Sequence, residues 1–178
     1  MREVVIVEGC RTAVGRRQGV FSNYRADDLF ADVLDALVKR AGIDKSIVED
    51  VIAGCVTQVN EQAMNVARTA LLIAGFPVHV PGVTIDRQCG SSQQAVHFAY
   101  QAIASGDMDI VIAGGVESMT RSPMFANVGE TKPSKRLTDK HQIVNQGISA
   151  ELIADKWGFT REQLDEYALR SHQLALKA

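Results

Sequence analysis

The sequence predicts an α/β fold, in which a mixed, mostly parallel sheet carries helices on its faces. Two observations lead to this prediction. Short apolar runs alternate with longer segments whose apolar residues recur at helical spacing, through most of the first 120 of the 178 residues. The short runs are apolar at nearly every position, as in strands that are buried on both faces. A sheet covered by helices accommodates both patterns.

Four apolar runs are predicted as strands. They cover residues 4–7, 51–56, 83–86 and 110–113. Three segments between them are predicted as helices: an apolar stripe over 29–41 that Gly42 closes, a helix over 66–74 before Gly75, and a helix over 91–105 before Gly106. Asp44 is expected to cap a further short helix.

The strand–helix alternation ends after Gly115. Residues 120–145 contain two of the four prolines and show no strong period, so we expect an irregular functional or inserted segment. Helical spacing returns over 148–157, and Thr160 with Gln163 predicts a capping box that starts a last helix. Because no stop signal follows, we expect the chain to be cut through or just after this helix.

Composition argues against several classes of protein. Lys and Arg number 19 and Asp and Glu 21, which gives a net charge of −2 and no basic excess for nucleic-acid binding. No apolar run reaches the ~18 residues of a membrane span, and the strand-like start leaves no room for a signal peptide. Three scattered cysteines predict no disulfide, so we expect a cytoplasmic protein.

The most informative segment is DRQCGSSQQA at 86–95, which places Cys89 where a predicted strand turns into a predicted helix. Backbone N–H groups at a helix N-terminus favour a thiolate and can hold a developing oxyanion. Cys89 is therefore a candidate nucleophile for acyl transfer; the alternative is a buried packing residue. Cys10 and Cys55 end apolar runs and are predicted as small core residues.

A cysteine nucleophile needs a basic partner, because a helix terminus contributes only about 0.3–1 kcal/mol toward the thiolate. Of the four histidines, His97 lies about 12 Å along the helix from Cys89, beyond hydrogen-bonding reach. No spacing connects His79, His141 or His172 with Cys89. The sequence thus predicts that the partner is absent from this chain.

At these residues the chain resembles the thiolase family of acetyl-CoA acetyltransferases and 3-ketoacyl-CoA thiolases. Five motifs in family order carry the resemblance: RTAVG at 11–15, NVAR at 65–68, CGS at 89–91, AGGVESM at 113–119 and QGISAE at 146–151. The resemblance implies that Cys89 takes the acyl group as a thioester and that its backbone N–H forms half of an oxyanion hole. It places Leu137 and Gln146 near the acyl and pantetheine end of the substrate.

The resemblance also implies the domain organisation. Residues 1–118 correspond to an N-terminal α/β domain and 119–178 to the start of an inserted loop domain. A complete thiolase is about twice as long, and its second half carries the activating histidine and a second catalytic cysteine. No metal or permanently bound cofactor is implied, since coenzyme A and acyl-CoA are substrates.

The function implied is an acyl-CoA:acetyl-CoA C-acyltransferase of fatty acid metabolism. It would cleave 3-ketoacyl-CoA or condense acetyl-CoA through a Cys89 thioester, and the isolated 178-residue chain would be inactive. The expected partners are acyl-CoA substrates and either identical subunits, in a homodimer or homotetramer, or a chain that carries the missing half. The alternative is a non-catalytic thiolase-like fragment or subunit that acts in assembly or binding with a complementary chain.

Overall fold

The computed structural model describes residues 2–178, which divide into two compact units. The first unit ends at Gly129 and the second spans Glu130–Ala178. The first contains strands β1 to β3 and helices α1 to α3, which occupy, in chain order, Ala26–Ala41 (α1), Asp50–Gly54 (β1), Val66–Ile73 (α2), Gly82–Ile85 (β2), Ser91–Ser105 (α3) and Val111–Gly115 (β3).

The three strands form one parallel sheet in the order β2-β1-β3, with β1 in the centre. Its register places Ile52 beside Val83 on one side and beside Ala113 on the other. Each strand is separated from the next by a segment that contains a helix. The predicted α/β fold with a mostly parallel sheet is therefore confirmed.

The two faces of the sheet carry different helices, because successive strand residues point to opposite sides. On one face, Val51 and Ala53 of β1 belong to a core cluster with residues of α1 and α2, such as Leu34 and Leu71. On the other face, Ile52 packs with residues of α3. The carboxyl ends of the strands consequently lie beside the N-terminus of α3.

The helix ends follow the predicted signals. Gly42 and Gly106 adopt left-handed conformations directly after α1 and α3, with φ of 67° and 84°. Asp44 accepts a hydrogen bond from the Ser46 N–H at the start of a short 3₁₀ helix, Lys45–Ile47. These positions show that local sequence determines where the helices of the first unit stop.

The predicted strand over 4–7 is wrong. These residues belong to no strand, and the side chains of Val5, Ile6 and Val7 are 66%, 87% and 78% exposed. The flanking residues are held by α1 and α3 instead: the Arg2 N–H donates to the Ala104 carbonyl, and Glu8 is paired with Arg40. An apolar run becomes a strand only where a neighbouring backbone offers a ladder, and none pairs with it here.

The second unit contains three helices, α4 (Lys135–Thr138), α5 (Gln146–Trp157) and α6 (Arg161–Lys177). The predicted capping box is confirmed, since the Gln163 N–H donates to Thr160 Oγ1 and the Thr160 N–H to Gln163 Oε1. No residue described in this unit is buried within it. Among residues 2–178, none of the helices is both long and apolar enough to span a bilayer.

Candidate active site

Cys89 is exposed in the tight turn that connects β2 with α3. The turn begins as β2 ends at Ile85, and α3 begins two residues after Cys89, at Ser91. Gly90, the residue before the helix, provides no side-chain cap for the first N–H groups of α3. The structure thus brings Cys89 to a helix N-terminus, as the sequence predicts, and it contradicts the alternative of a buried packing residue.

Side chains on both sides of Cys89 brace the turn. Asp86 Oδ1 accepts the Gln88 N–H at 2.7 Å, and Ser91 Oγ accepts the Arg87 N–H at 2.8 Å. Ser91 Oγ also donates to the Gln88 carbonyl oxygen at 2.5 Å. The backbone closes the same turn through the Gly90 N–H and the Arg87 carbonyl, 3.0 Å apart.

Gln88 has a left-handed backbone, with φ of 45°. This conformation costs a residue with a side chain roughly 1–2 kcal/mol, so the surrounding contacts must hold it. Its N–H and its carbonyl are both engaged, by Asp86 and by Ser91 respectively. The residue immediately before Cys89 is therefore fixed at both of its backbone polar groups.

The backbone N–H of Cys89 has no hydrogen-bond acceptor among residues 2–178. The N–H groups that open α3 lie directly after it, and a helix N-terminus carries a partial positive charge. The Cys89 N–H is thus an unpaired donor in the same residue as the thiol. This arrangement is suited to stabilising the oxyanion of a tetrahedral acyl-transfer intermediate.

The first turn of α3 approaches the ends of β1 and β3 closely because both strands end in glycine. A Cβ on Gly54 would lie 2.8 Å from the Ser91 Cβ and would also strike the Ser92 backbone nitrogen. A Cβ on Gly115 would lie 2.5 Å from the Gly54 carbonyl oxygen and would strike Ser92 Oγ. A side chain at Gly54 would displace the start of α3, and with it the turn that holds Cys89, whereas one at Gly115 would push against β1 and the Ser92 side chain.

The other two cysteines have different surroundings. Cys55 is 1% exposed, as predicted for a core residue, and burial raises the pKa of its thiol to about 12, with smaller contributions from Glu117 and Asp86. Cys10 is half-buried, and its thiol points toward the Val33 carbonyl oxygen at 3.5 Å. Neither lies at a helix N-terminus.

The histidines of the first unit do not reach Cys89. His79 contacts the Ser46 carbonyl oxygen through Nε2 at 3.2 Å, and His97 lies two turns into α3. Neither is hydrogen-bonded to the Cys89 thiol. His141 and His172 belong to the second unit. Within the first unit as described, neither histidine is placed to activate Cys89.

The two predicted substrate-contacting residues both lie in the second unit. Leu137 is on α4 and is 43% exposed, while Gln146 is exposed at the first position of α5. The Asn145 side chain caps α5 by accepting the Gly147 N–H at 3.0 Å. Each residue is accessible to a ligand, and their contribution to a substrate site remains a proposal.

A cavity in the first unit does not have Cys89 on its lining. Its volume is about 950 Å³, and it lies between α1, the end of β3 and residues 8–18. Met119 and Met124 are on its lining. We assign the chemistry to Cys89 rather than to this cavity, because the thiol on the cavity lining, that of Cys10, does not lie at a helix N-terminus.

Three features of the site are not predicted from the sequence: the brace by Ser91 and the close approaches at Gly54 and Gly115. The two glycines lie within or just after predicted apolar runs, which is a signal for close backbone approach when a helix must pass over a strand end. A further buried group, Gln62, joins the loops after β1 and β3 by accepting the Ser118 N–H at 2.7 Å and donating to Glu117. Among residues 2–178, no cluster of three or more His, Cys, Asp or Glu side chains could hold a metal.

The chain matches the family model of the thiolase N-terminal domain over residues 4–178. It belongs to the thiolase family. Similar proteins include the steroid 3-ketoacyl-CoA thiolase FadA6 of Mycobacterium tuberculosis, 44% identical over 189 aligned positions that cover 100% of this chain and 46% of the relative. A 3-ketoacyl-CoA thiolase of Idiomarina loihiensis is also 44% identical, and one of Bacillus subtilis is 41% identical, with the same coverage.

The resemblance that the five motifs indicate is thus confirmed at the level of the family. The chain spans about half the length of the curated relatives it matches. The region that aligns includes the Cys89 turn and both predicted substrate-contacting residues, since the family match runs from residue 4 to residue 178. The activity of a whole thiolase comes to this chain only as a proposal.

Proposed function

We propose that this chain supplies the nucleophile of an acyl-CoA:acetyl-CoA C-acyltransferase, with Cys89 as the residue that carries the acyl group. The observation that carries the proposal is the exposed Cys89 thiol beside its own unpaired backbone N–H, at the N-terminus of α3. Membership of the thiolase family supports the reaction class. The names of the similar proteins support 3-ketoacyl-CoA as the substrate class.

In the direction of cleavage, the Cys89 thiolate attacks the 3-keto carbon of 3-ketoacyl-CoA. The bond between C2 and C3 then breaks, the acyl group stays on Sγ as a thioester, and the departing enolate takes a proton to become acetyl-CoA. The thiolate of free coenzyme A next attacks this thioester, releasing the shortened acyl-CoA and restoring Cys89. Condensation of acetyl groups is the reverse sequence. In both directions, the Cys89 N–H donates a hydrogen bond to the oxyanion of each tetrahedral intermediate.

The proton of the Cys89 thiol must go to a base, and neither histidine of the first unit contacts it. General acid–base catalysis typically contributes about 10²–10⁴-fold, so its loss alone lowers turnover by that factor. We therefore propose that the 178-residue chain by itself is inactive. The base would come from a partner chain or from the part of the longer relatives that this chain does not match.

We also propose the roles of the remaining parts. Residues 1–118 form the nucleophile-bearing domain, and 119–178 begin a loop domain in which Leu137 and Gln146 contact the acyl and pantetheine end of the substrate.

The exposed apolar side chains of the second unit favour association, in a homodimer, a homotetramer or a complex with a complementary chain. Three free cysteines fit a reducing compartment such as the cytoplasm.

A thiolysis assay tests the proposed function, with coenzyme A and either acetoacetyl-CoA or a longer 3-ketoacyl-CoA. We expect no measurable turnover from the chain alone, and turnover when its co-purifying complementary chain, identified by mass spectrometry, is added. Cys89→Ala in this chain should abolish that turnover. Turnover near ~10 s⁻¹ from the chain alone would contradict the proposed absence of a base. Turnover that survives Cys89→Ala would contradict the role of Cys89.

A further inference from the structure

We propose that Ser91 is a positioning residue for acyl transfer, because its hydroxyl fixes the turn that presents the Cys89 thiol and the Cys89 N–H together. The inference rests on the proposed function, in which Cys89 is the acyl acceptor. Ser91 contacts neither the thiol nor, in this proposal, the substrate. It acts through the backbone on both sides of Cys89.

The hydroxyl of Ser91 makes two hydrogen bonds inside the turn. It accepts the Arg87 N–H and donates to the Gln88 carbonyl oxygen, so its one proton and one of its acceptor positions are both engaged. The side chain is 4% exposed and is held from the other side by the close approach of Gly54. Water therefore has little access to replace either bond.

The two hydrogen bonds of the Ser91 hydroxyl hold the unusual backbone conformation of Gln88. Gln88, the residue before Cys89, has the left-handed backbone at φ 45°, which an amino acid with a side chain adopts only when it is held there. Without the Ser91 hydroxyl, its carbonyl keeps only the weaker constraint of the Ser91 N–H at 3.0 Å. Relaxation of Gln88 to an ordinary φ would rotate the Gln88–Cys89 peptide, whose N–H is the proposed oxyanion donor.

Two reactions of Cys89 separate positioning from thiol reactivity. Acetylation by p-nitrophenyl acetate proceeds through a tetrahedral oxyanion: the Sγ–C bond forms, p-nitrophenolate leaves and the thiol proton goes to solvent. Alkylation by iodoacetamide forms an Sγ–C bond by displacing iodide and has no oxyanion. A misplaced N–H slows only the first reaction, whereas changed exposure or a changed thiolate fraction affects both.

The test compares wild type with Ser91→Ala, and uses Ser105→Ala as the matched control. Ser105 ends α3, is exposed, and bonds only the Ala102 carbonyl through its hydroxyl. We expect Ser91→Ala to slow acetylation of Cys89 by about tenfold or more, and to change its alkylation by less than about threefold. Ser105→Ala should change neither rate. Amide hydrogen exchange should become faster at Arg87 in Ser91→Ala while the second half of α3 keeps its protection.

Equal acetylation rates in wild type and Ser91→Ala would overturn the inference, as would a parallel fall in both reactions. Unchanged exchange at Arg87 would overturn it as well. Failure of the proposed function gives a different result: with the complementary chain present, acetyl-CoA would then leave Cys89 unlabelled, while the Ser91-dependent difference with p-nitrophenyl acetate persisted. If acetyl-CoA labels Cys89 equally fast in both proteins, only the role of Ser91 fails.

Discussion

Gly54 of β1 and Gly115 of β3 lie side by side in the sheet, and the first turn of α3 rests directly on this pair. Each is the last residue of its strand, so the pair marks the carboxyl edge where the sheet stops. A helix can approach backbone to backbone here because neither residue has a side chain. The position of Cys89 thus depends on two residues that lie far from it in sequence.

Gly115→Ala should destabilise the first unit. The new Cβ would lie 2.5 Å from the Gly54 carbonyl oxygen and would strike Ser92 Oγ, so β1 and β3 must shift apart and the Ser92 side chain must move. Overpacking of this kind costs about 1–3 kcal/mol in the free energy of unfolding. Chemical denaturation monitored by circular dichroism measures it.

Gly114→Ala is the matched control for this substitution, one position earlier on β3. A Cβ there would lie 3.6 Å from the Phe30 ring, which is an ordinary contact distance. We expect a change of less than about 0.5 kcal/mol. If Gly114→Ala and Gly115→Ala lowered the free energy of unfolding equally, the close contacts at Gly115 would not explain its effect.

Alkylation at pH 8 should distinguish the exposed Cys89 from the buried Cys55. Burial raises the pKa of the Cys55 thiol to about 12, so Cys55 has almost no thiolate at pH 8. Cys89 is exposed and should react with iodoacetamide first. Mass spectrometry of the digested chain after brief labelling should find the label on Cys89 and none on Cys55 until the protein unfolds. Early label on Cys55 in the folded chain would contradict its burial.

Gln62→Ala should lower the free energy of unfolding by about 1–3 kcal/mol, because it leaves buried polar groups without partners. The Gln62 side chain is 0% exposed and bonds the Thr57 carbonyl, Glu117 and the Ser118 N–H. Gln101→Ala, at an exposed position of α3, is the control and should change stability little. If Gln62→Ala left the free energy of unfolding unchanged, the loops after β1 and β3 would not depend on the Gln62 amide.

The stability of the chain should fall in acid partly through Glu49. The N–H groups of Asp109 and Ile110 donate to its carboxylate and lower its pKa below the ordinary value of 4.5. A lowered folded pKa means stability that is present above about pH 4.5 and is lost as the pH falls through the folded value. Glu49→Gln should therefore lose less stability than wild type between neutral pH and pH 3, measured by denaturation. Glu130→Gln, in the second unit, should keep the wild-type dependence.

Much of the fold could be predicted from the sequence because its signals are local. The glycines after α1 and α3, the capping box at Thr160 and the apolar runs of β1 and β3 depend on near neighbours in the chain. The strand over 4–7 fails because pairing is non-local: apolar composition cannot show whether a neighbouring ladder is available.

The candidate site divides in the same way. Cys89 could be found because its position at a strand–helix turn is a local pattern. Gly54 and Gly115 could not be assigned a role. To predict their contact with α3, one must know the register of β1 with β3 and the position of α3 over the sheet. The role of Ser91 depends on the left-handed φ of Gln88. The sequence does not predict this conformation, because residues other than glycine rarely adopt it.

The most direct test of the central claim is to combine the chain with its complementary chain, incubate the complex with acetyl-CoA and map the acyl group. Peptide mass spectrometry should find one acetyl group on the peptide that contains Cys89, as a thioester that free coenzyme A removes. The same experiment on Cys89→Ala should find no acetyl group on any cysteine. An acetyl group on Cys10 or Cys55 that persists in Cys89→Ala, with the Cys89 peptide of the wild-type chain unlabelled, would contradict the assignment of Cys89 as the nucleophile.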